Sequence, residues 1–230
     1  MKVADIFSDF TNLIYPAVCV ACGSVLVTQE KYICLSCIFN LPKTNFHLDK
    51  DNPLEQLFWG RLNIQAAAAL YYFEKGSKSR KILHHIKYLG NKQLAEYIGV
   101  LYGSELARSG HFSETDFLVP VPLHQSREVK RGYNQSEWFA RGLAKGLGKQ
   151  LYPDILVRYI GTDTQINKSR TERWENVENC FRVRDPARIE NKHVLLVDDV
   201  VTTGATLESC AMAIMLKPGI RLSILTMAYA

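Results

Sequence analysis

The sequence predicts an α/β protein, with a doubly wound, mostly parallel sheet preceded by a small cysteine-rich module. Three observations support this prediction. Strand patterns alternate with helical patterns over the C-terminal part of the chain, which is typical of strand–helix–strand units. The most apolar strand, 193–197, ends at two adjacent carboxylates, Asp198 and Asp199. Near the N-terminus, four cysteines form two Cys-x-x-Cys pairs.

Composition narrows the class of protein. The chain has 230 residues and is 47% hydrophobic, which suits one ordinary domain with a small appendage and excludes global disorder. No apolar run approaches the roughly 18 residues of a membrane-spanning helix. Asp5 and Asp9 lie within the N-terminal apolar pattern and argue against a secretory signal. We therefore expect a cytoplasmic protein without a membrane span. The net charge of +5 permits phosphate or nucleic-acid binding and requires neither.

The first element is a predicted amphipathic helix over residues 3–14, which Pro16 ends. Its apolar face consists of Val3, Ile6, Phe7, Phe10, Leu13 and Ile14.

The cysteine pairs follow, Cys19 with Cys22 and Cys34 with Cys37, separated by eleven residues. In a reducing compartment, paired cysteines of this kind favour metal ligation over disulfides. Four thiolates suit a tetrahedral zinc site with no open coordination position, so the metal is expected to be structural. The alternative is a redox-active or simply buried set of thiols, although no thioredoxin-type βαβ pattern surrounds either pair.

Domain bounds follow from these patterns. We expect the helix and zinc module over 1–45, a linker or docking segment over 46–63, and the α/β domain over 64–230. Within that domain the predicted strands are 64–73, 117–121, 155–160, 180–184, 193–197 and 221–229. The predicted helices are 77–88, 91–108, 134–147 and 205–216, and 161–179 is a polar stretch.

The segment after strand 193–197 suits a ribose 5-phosphate. Two adjacent carboxylates can accept hydrogen bonds from vicinal hydroxyls, and the unpaired N–H groups at a helix start can bind a phosphate. The loop residues expected to do so are Thr202, Thr203, Gly204, Ala205 and Thr206. The Gly-x-x-x-x-Gly-Lys spacing of a P-loop is absent. The alternative is a capped helix preceded by solvated strand-end carboxylates.

Two basic segments are candidates for binding further phosphate groups. A loop after strand 117–121 contains Arg127, Lys130 and Arg131, and ligands in open α/β sheets bind at the carboxyl ends of the strands. The polar stretch contains Lys168, Arg170 and Arg173, and could fold over an anionic ligand and exclude water. The alternatives are an exposed basic loop and a solvated helix.

The thirteen residues from Val194 to Thr206 resemble the phosphoribosyl diphosphate (PRPP) signature of type I phosphoribosyltransferases. This resemblance implies a type I phosphoribosyltransferase-like fold. It also implies that Asp198 and Asp199 contact the ribose 2- and 3-hydroxyls and that residues 202–206 hold the 5-phosphate.

Taken with five other motifs, this signature resembles the ComF family, which is linked to DNA uptake in competence. Those motifs are the cysteine module, Lys87-Tyr88, Pro120-Val-Pro122, and the segments Arg131-Gly-Tyr-Asn-Gln135 and Gln165…Arg173…Asn176-Val177. Tyr133 stands where the family often has Phe. The resemblance implies PRPP bound with Mg²⁺, with Lys87, Lys130, Arg131 and Arg173 among its ligands. It implies Asp198, Asp199, Arg131 and Lys168 as catalytic residues.

Three functions stay open at this point. The first is phosphoribosyl transfer to an unknown acceptor, in DNA uptake with competence-machinery partners or in nucleotide salvage. The second is a non-catalytic protein that binds single-stranded DNA in the sugar-phosphate pocket, with Tyr88, Tyr133 or Trp174 stacking bases. The third is a PRPP sensor without turnover. Because the last predicted strand reaches the end of the sequence, any hood that selects an acceptor is expected from 43–63 or the zinc module.

Overall fold

The computed structural model describes residues 16–158 and 180–230. The predicted helix over 3–14 and the polar stretch 161–179 lie outside the described residues. Lys168, Arg170, Arg173 and Trp174 therefore stay predictions.

Five strands form one parallel sheet in the order β1–β7–β6–β2–β3. Their bounds are Ala66–Tyr72 (β1), Phe117–Pro120 (β2), Gln150–Leu151 (β3), His193–Val201 (β6) and Arg221–Tyr229 (β7). The first half of β6 and the interior of β7 are buried and mostly apolar, as expected for parallel strands covered on both faces. The predicted α/β fold with a mostly parallel sheet is confirmed.

A separate hairpin pairs β4 (Leu156–Arg158) with β5 (Phe181–Val183) in antiparallel fashion. Seven α-helices are described: Leu35–Asn40 (α1), Pro53–Gln56 (α2), Lys78–Tyr88 (α3), Lys92–Ser109 (α4), Gln125–Arg131 (α5), Gln135–Leu147 (α6) and Ala205–Met215 (α7). Two short 3₁₀ helices cover Phe46–Leu48 and Pro186–Arg188. Among these, none is long and apolar enough to cross a membrane.

Helices α4 and α6 pack backbone against backbone through glycines. A Cβ atom added at Gly142 would lie 2.0 Å from the Glu96 carbonyl oxygen, and one at Gly99 would lie 2.3 Å from the Phe139 carbonyl oxygen. Gly103 and Gly146 meet the opposite helix in the same way. This close contact fixes α6 over the sheet, and the N-terminal turn of α6 supplies a residue of the candidate site.

The segment 46–63 docks along β1. Leu54 and Phe58 are fully buried. The side-chain amide of Asn52 donates to the Ala67 carbonyl at 2.8 Å, and Glu55 accepts from the Ala67 N–H at 3.0 Å. These bonds fasten the segment to the sheet, whereas the domain bounds themselves stay a prediction.

Candidate functional site

Asp198 and Asp199 lie inside strand β6, which continues to Val201. The strand predicted over 193–197 was therefore too short. Strand β2 ends at Pro120, which pairs with Val197. Beyond this pairing, Ser136 of helix α6 contacts Asp198, and Lys87 of helix α3 contacts Asp199.

Asp198 is held by two hydrogen bonds to the same oxygen. Its Oδ1 accepts from the Ser136 hydroxyl and from the Asp199 N–H, each at 2.8 Å. Burial and, next, the neighbouring Asp199 carboxylate raise the pKa of Asp198 to about 7, because both disfavour the charged form. Asp198 therefore titrates near neutral pH.

Asp199 is paired with a cation from a distant helix. Its Oδ2 lies 3.0 Å from Lys87 Nζ, and the two side chains are only 15% and 21% exposed. Lys87 lies in the last turn of α3, and the Tyr133 hydroxyl, which donates to the Ile86 carbonyl, fixes that turn. The structure thus brings Lys87 to the aspartate pair.

One oxygen of each aspartate has no hydrogen-bond donor within the described part of the chain. These oxygens are Asp198 Oδ2 and Asp199 Oδ1. The two hydrogen bonds to Asp198 both go to its Oδ1, and the ion pair of Asp199 with Lys87 uses its Oδ2. Each aspartate thus keeps, within the described residues, one carboxylate oxygen that can accept a hydrogen bond from a hydroxyl of a vicinal diol.

The loop that follows leads into helix α7. Gly204 has a φ of 77° and is the N-cap residue, without a side-chain cap. Thr202, Thr203 and Thr206 are exposed. A small cavity of about 50 Å³ is lined by Asp198 and by Val200 to Leu207. The Ala205 N–H reaches the Thr203 hydroxyl at 3.5 Å. The N–H groups of this first turn and the three hydroxyls, next to a carboxylate pair, suit the phosphate and hydroxyls of one sugar phosphate.

Segment 46–63 closes one side of this loop. A Cβ atom on Gly204 would lie 3.0 Å from side-chain atoms of both Leu57 and Phe58. Arg61 Nη1 lies 2.6 Å from the Glu208 carboxylate in the first turns of α7.

The basic segment after β2 is helix α5, so the predicted loop was wrong there. The Arg131 guanidinium lies 5.7 Å from the ring centre of Tyr88 and donates to Gln135 Oε1 at 2.9 Å. Lys130 is exposed on the same helix. Arg131 therefore contacts Tyr88, which directly follows Lys87. Within the described residues, Lys130 makes no contact with either aspartate.

The four cysteines of the two pairs come together. Their Sγ atoms all lie within 4.8 Å of one another. The Sγ atoms of Cys22 and Cys34 are 3.7 Å apart, close to the edge of about 3.8 Å of a tetrahedron with Zn–S bonds of about 2.3 Å. Gly23, with a φ of 82°, donates to the Cys19 carbonyl and turns the chain around the cluster. Cys19, Cys22, Cys34 and Cys37 thus form a donor set that could hold zinc.

Known proteins are similar to this chain over part or most of its length. The phosphoribosyl transferase domain family matches residues 120–220. Competence protein F of Haemophilus influenzae is 36% identical over 91 residues, 39% of this chain and 40% of that protein. Competence protein ComFC of Bacillus subtilis is 34% identical over 100 residues, 44% of this chain and 38% of that protein. DNA utilization protein YhgH of Escherichia coli is 30% identical over 202 residues, 86% of this chain and 84% of that protein.

The chain belongs to the ComF family. The phosphoribosyl transferase match in this ComF protein contains the aspartate pair and the loop before α7, while Lys87 and the cysteine cluster lie N-terminal to it.

Ser136 is the site residue of this ComF protein that sequence reasoning missed. Asn134 is the N-cap of α6, and its side chain accepts from the Ser136 N–H. A serine in the first turn of a helix that follows a strand's carboxyl end points to the edge where ligands bind. The position of Ser136 in that turn is therefore the feature of the sequence that could have identified it. Leu57 and Phe58 carried no such signal in the sequence.

Proposed function

We propose that this ComF protein binds PRPP together with Mg²⁺ in the pocket formed by Asp198, Asp199 and residues 202–206. The observation that carries the proposal is the aspartate pair, each with one oxygen that lacks a donor among the described residues, beside a helix N-terminus whose N-cap, Gly204, has no side chain. In this proposal the aspartates accept from the ribose hydroxyls, and Thr202, Thr203, Gly204, Ala205 and Thr206 hold the 5-phosphate.

The diphosphate at C1 would be bound by cations around the aspartates. Lys87 carries three N–H donors, so it can keep its contact with Asp199 and also reach a phosphate oxygen. Lys130, Arg131 and Arg173 are the further proposed ligands. Mg²⁺ bound with the diphosphate would neutralise its charge, with few protein ligands.

Phosphoribosyl transfer is the reaction that this arrangement favours. An acceptor nucleophile attacks C1 of the ribose, and the C1–oxygen bond breaks so that diphosphate leaves. Asp198 and Asp199 orient the sugar, while Arg131 and Lys168 stabilise the charge on the leaving diphosphate. The segment 46–63 is the proposed hood, since Leu57 and Phe58 border Gly204.

Calorimetric titration with PRPP and Mg²⁺ tests this proposal. The double variant Asp198→Asn/Asp199→Asn should bind at least about 100-fold more weakly, since hydrogen bonds to charged groups contribute about 1.5–3 kcal/mol each. Glu114→Gln, at an exposed carboxyl that pairs with Arg221 instead, is the control and should bind like the wild type. A wild-type protein that does not bind PRPP would refute the proposal.

The role in the cell follows the relatives' names. Because proteins named for competence and DNA utilization resemble this chain, we propose a part in DNA uptake, with competence-machinery proteins as partners. Deleting the gene in a competent host should lower transformation by added DNA, and the Asp198→Asn/Asp199→Asn allele should not restore it. Normal transformation in the deletion strain would instead favour nucleotide salvage.

A cationic face favours a second candidate, binding of single-stranded DNA. Helix α3 contains no Asp or Glu, and Tyr88 at its end is 61% exposed. Exposed cations of α3 and α5 form no ion pair within the described part of the chain: Lys78, Arg80, Lys81, Arg127 and Lys130. Cations beside an exposed aromatic ring suit phosphates and a stacked base.

The salt dependence of oligo(dT) binding tests this second candidate. Arg80→Gln/Lys81→Gln should reduce the logarithmic salt slope by about 1.4, since each contact to a single strand contributes about 0.7. The control, Arg141→Gln/Lys145→Gln, removes two cations that already pair with Glu137 and Glu96 and should leave the slope unchanged. Binding that is equal at low and moderate salt would exclude this candidate.

A further inference from the structure

Exposed apolar side chains are concentrated on the cysteine module. Five large apolar residues there are more than half exposed: Val18 at 51%, Val25 at 59%, Val27 at 64%, Leu35 at 56% and Phe39 at 80%. Single exposed apolar residues are ordinary on protein surfaces, but a cluster of them marks an interaction surface.

Local geometry gathers these residues into two groups beside the sulfur atoms. Val18 and Val25 pair in an antiparallel bridge, so their side chains share a face, and Val27 follows two residues later on the same side. Leu35 and Phe39 are four residues apart on α1, which also puts them on one face. Cys22 is three residues before Val25 and Cys34 directly precedes Leu35, and their Sγ atoms are 3.7 Å apart, so both groups flank the sulfur cluster.

The module has little core of its own with which to cover this surface. Between residues 16 and 40, the buried apolar positions are Cys19, Ala21, Ile33, Cys34 and Cys37, most of which are the sulfur cluster itself. Units this small seldom bury enough apolar area without help from a metal or a neighbouring segment.

We infer that the exposed apolar face of the cysteine module is the docking surface for residues 3–14 of the same chain. That segment has apolar residues at helical spacing along one face, with Asp5 and Asp9 on the other. A twelve-residue helix would be about 18 Å long, enough to extend past a six-residue helix such as α1. This inference does not depend on the proposed function.

The short connection favours this occupant over any other. Three residues separate Ile14 from Val18, so the segment is held near the surface at an effective concentration of the order of millimolar. A separate protein or a second copy must reach comparable concentrations to displace it. Pro16 in the connection restricts its conformations and lowers the entropy lost on docking.

Hydrogen exchange of the full-length, zinc-loaded protein tests the inference. Backbone amides of residues 3–14 should exchange at least about tenfold more slowly than an unstructured chain in the wild type. Phe39→Asp should remove most of this protection. Leu216→Asp is the matched control, because Leu216 is also 80% exposed but lies after helix α7, and it should leave the protection unchanged.

The other outcomes overturn the inference. Exchange at the unstructured rate in the wild type would mean that the segment does not dock. Equal loss of protection in both variants would mean that the effect is not specific to the module. Protection that appears only as protein concentration rises would assign the surface to a second copy. Zinc content, measured in each variant, should stay at the wild-type level, and Phe39→Ala should give an intermediate loss if Phe39→Asp disturbs the module.

Discussion

At the scale of single residues, opposing effects act on the charged form of Asp198. Hydrogen bonds from Ser136 and from the Asp199 N–H stabilise its charged form, while burial and the neighbouring carboxylate disfavour it and raise its pKa to about 7. The charged form of a carboxylate held in this position therefore costs folding stability, as groups at functional sites often do.

Protonation of Asp198 predicts a pH-dependent effect of Asp198→Asn on stability. The ordinary pKa is 3.8 and the folded-state pKa is about 7, so between these values the folded protein binds more protons than the unfolded chain. The contribution of Asp198 to the free energy of unfolding is therefore most favourable at low pH, and it is lost as pH rises from about 4 to about 7. Asp198→Asn, which keeps the Oδ1 acceptor, should leave the melting temperature nearly unchanged at pH 4 and raise it at pH 8.

Thermal unfolding followed by circular dichroism between pH 4 and 8 measures this difference. Asp154→Asn, at a carboxyl whose side chain is 55% exposed, serves as the control and should show a small, constant difference. A difference for Asp198→Asn that does not grow with pH would contradict the prediction.

At the scale of elements, the contact between α4 and α6 positions the N-terminal turn of α6. Four glycines allow the two backbones to touch, so the contact tolerates little change in spacing. The Asn134 side chain then ties the start of α6 to the Val121 carbonyl at 2.9 Å. Together these contacts place the Ser136 hydroxyl against Asp198.

A methyl group in this contact should be strongly destabilising. Gly142→Ala would place a Cβ atom 2.0 Å from the Glu96 carbonyl oxygen, which forces the helices apart. Overpacking of this kind costs about 1–3 kcal/mol, although alanine favours a helix more than glycine does by about 1 kcal/mol. Because the clash is with backbone atoms, we expect the upper end of this range, and hence a net loss of about 2 kcal/mol in the free energy of unfolding by urea. Gln93→Ala, at an exposed position of α4, should be nearly neutral, and an equally neutral Gly142→Ala would contradict the packing described.

The bounds of most helices and strands were predictable, because they follow from local patterns. Strand 221–229 and helix 77–88 were predicted to within one residue of β7 and α3. Local patterns failed where tertiary contacts decide. The basic segment around Arg127 carries no apolar periodicity, yet it forms helix α5, which begins at the His124 N-cap and ends at Gly132. Segment 46–63 was predicted only as a linker or docking segment, but Asn52 caps a short helix there, α2, which packs against β1.

At the scale of the whole molecule, the cysteine module touches the α/β domain through a small set of contacts. The rings of Tyr32 and Tyr97 lie 5.6 Å apart, and Lys43 pairs with Glu105 at 2.6 Å. Beyond Lys43, the chain runs along the free edge of β1, where Thr44 donates its N–H to the Leu70 carbonyl. Covering an edge strand in this way prevents it from pairing with other chains.

We expect each chain to bind one zinc ion, which should stabilise the cysteine module and not the sheet. Elemental analysis should find about one zinc, and Cys22→Ser/Cys37→Ser should abolish it, because four thiolates form one closed site. Structural zinc contributes on the order of 10 kcal/mol to the folding of such units, so a chelator should expose residues 19–37 to proteolysis while the sheet stays folded. Cys210→Ser, at a buried thiol of α7 outside the cluster, should keep its zinc. A metal-free protein with a protease-resistant module would contradict the zinc assignment.

The sequence by itself determined the α/β class, the order of most elements and the spacing of the four cysteines. It also placed the two aspartates directly before a threonine- and glycine-containing loop, because strand patterns, turn residues and helix starts are local properties. Only the tertiary structure decided what surrounds those aspartates. Ser136 is 62 positions from Asp198 in the sequence. Lys87 is even farther from the aspartates in the sequence, on helix α3. Their meeting depends on how α3 and α6 pack over the sheet, and that packing is set by contacts between residues far apart in the chain.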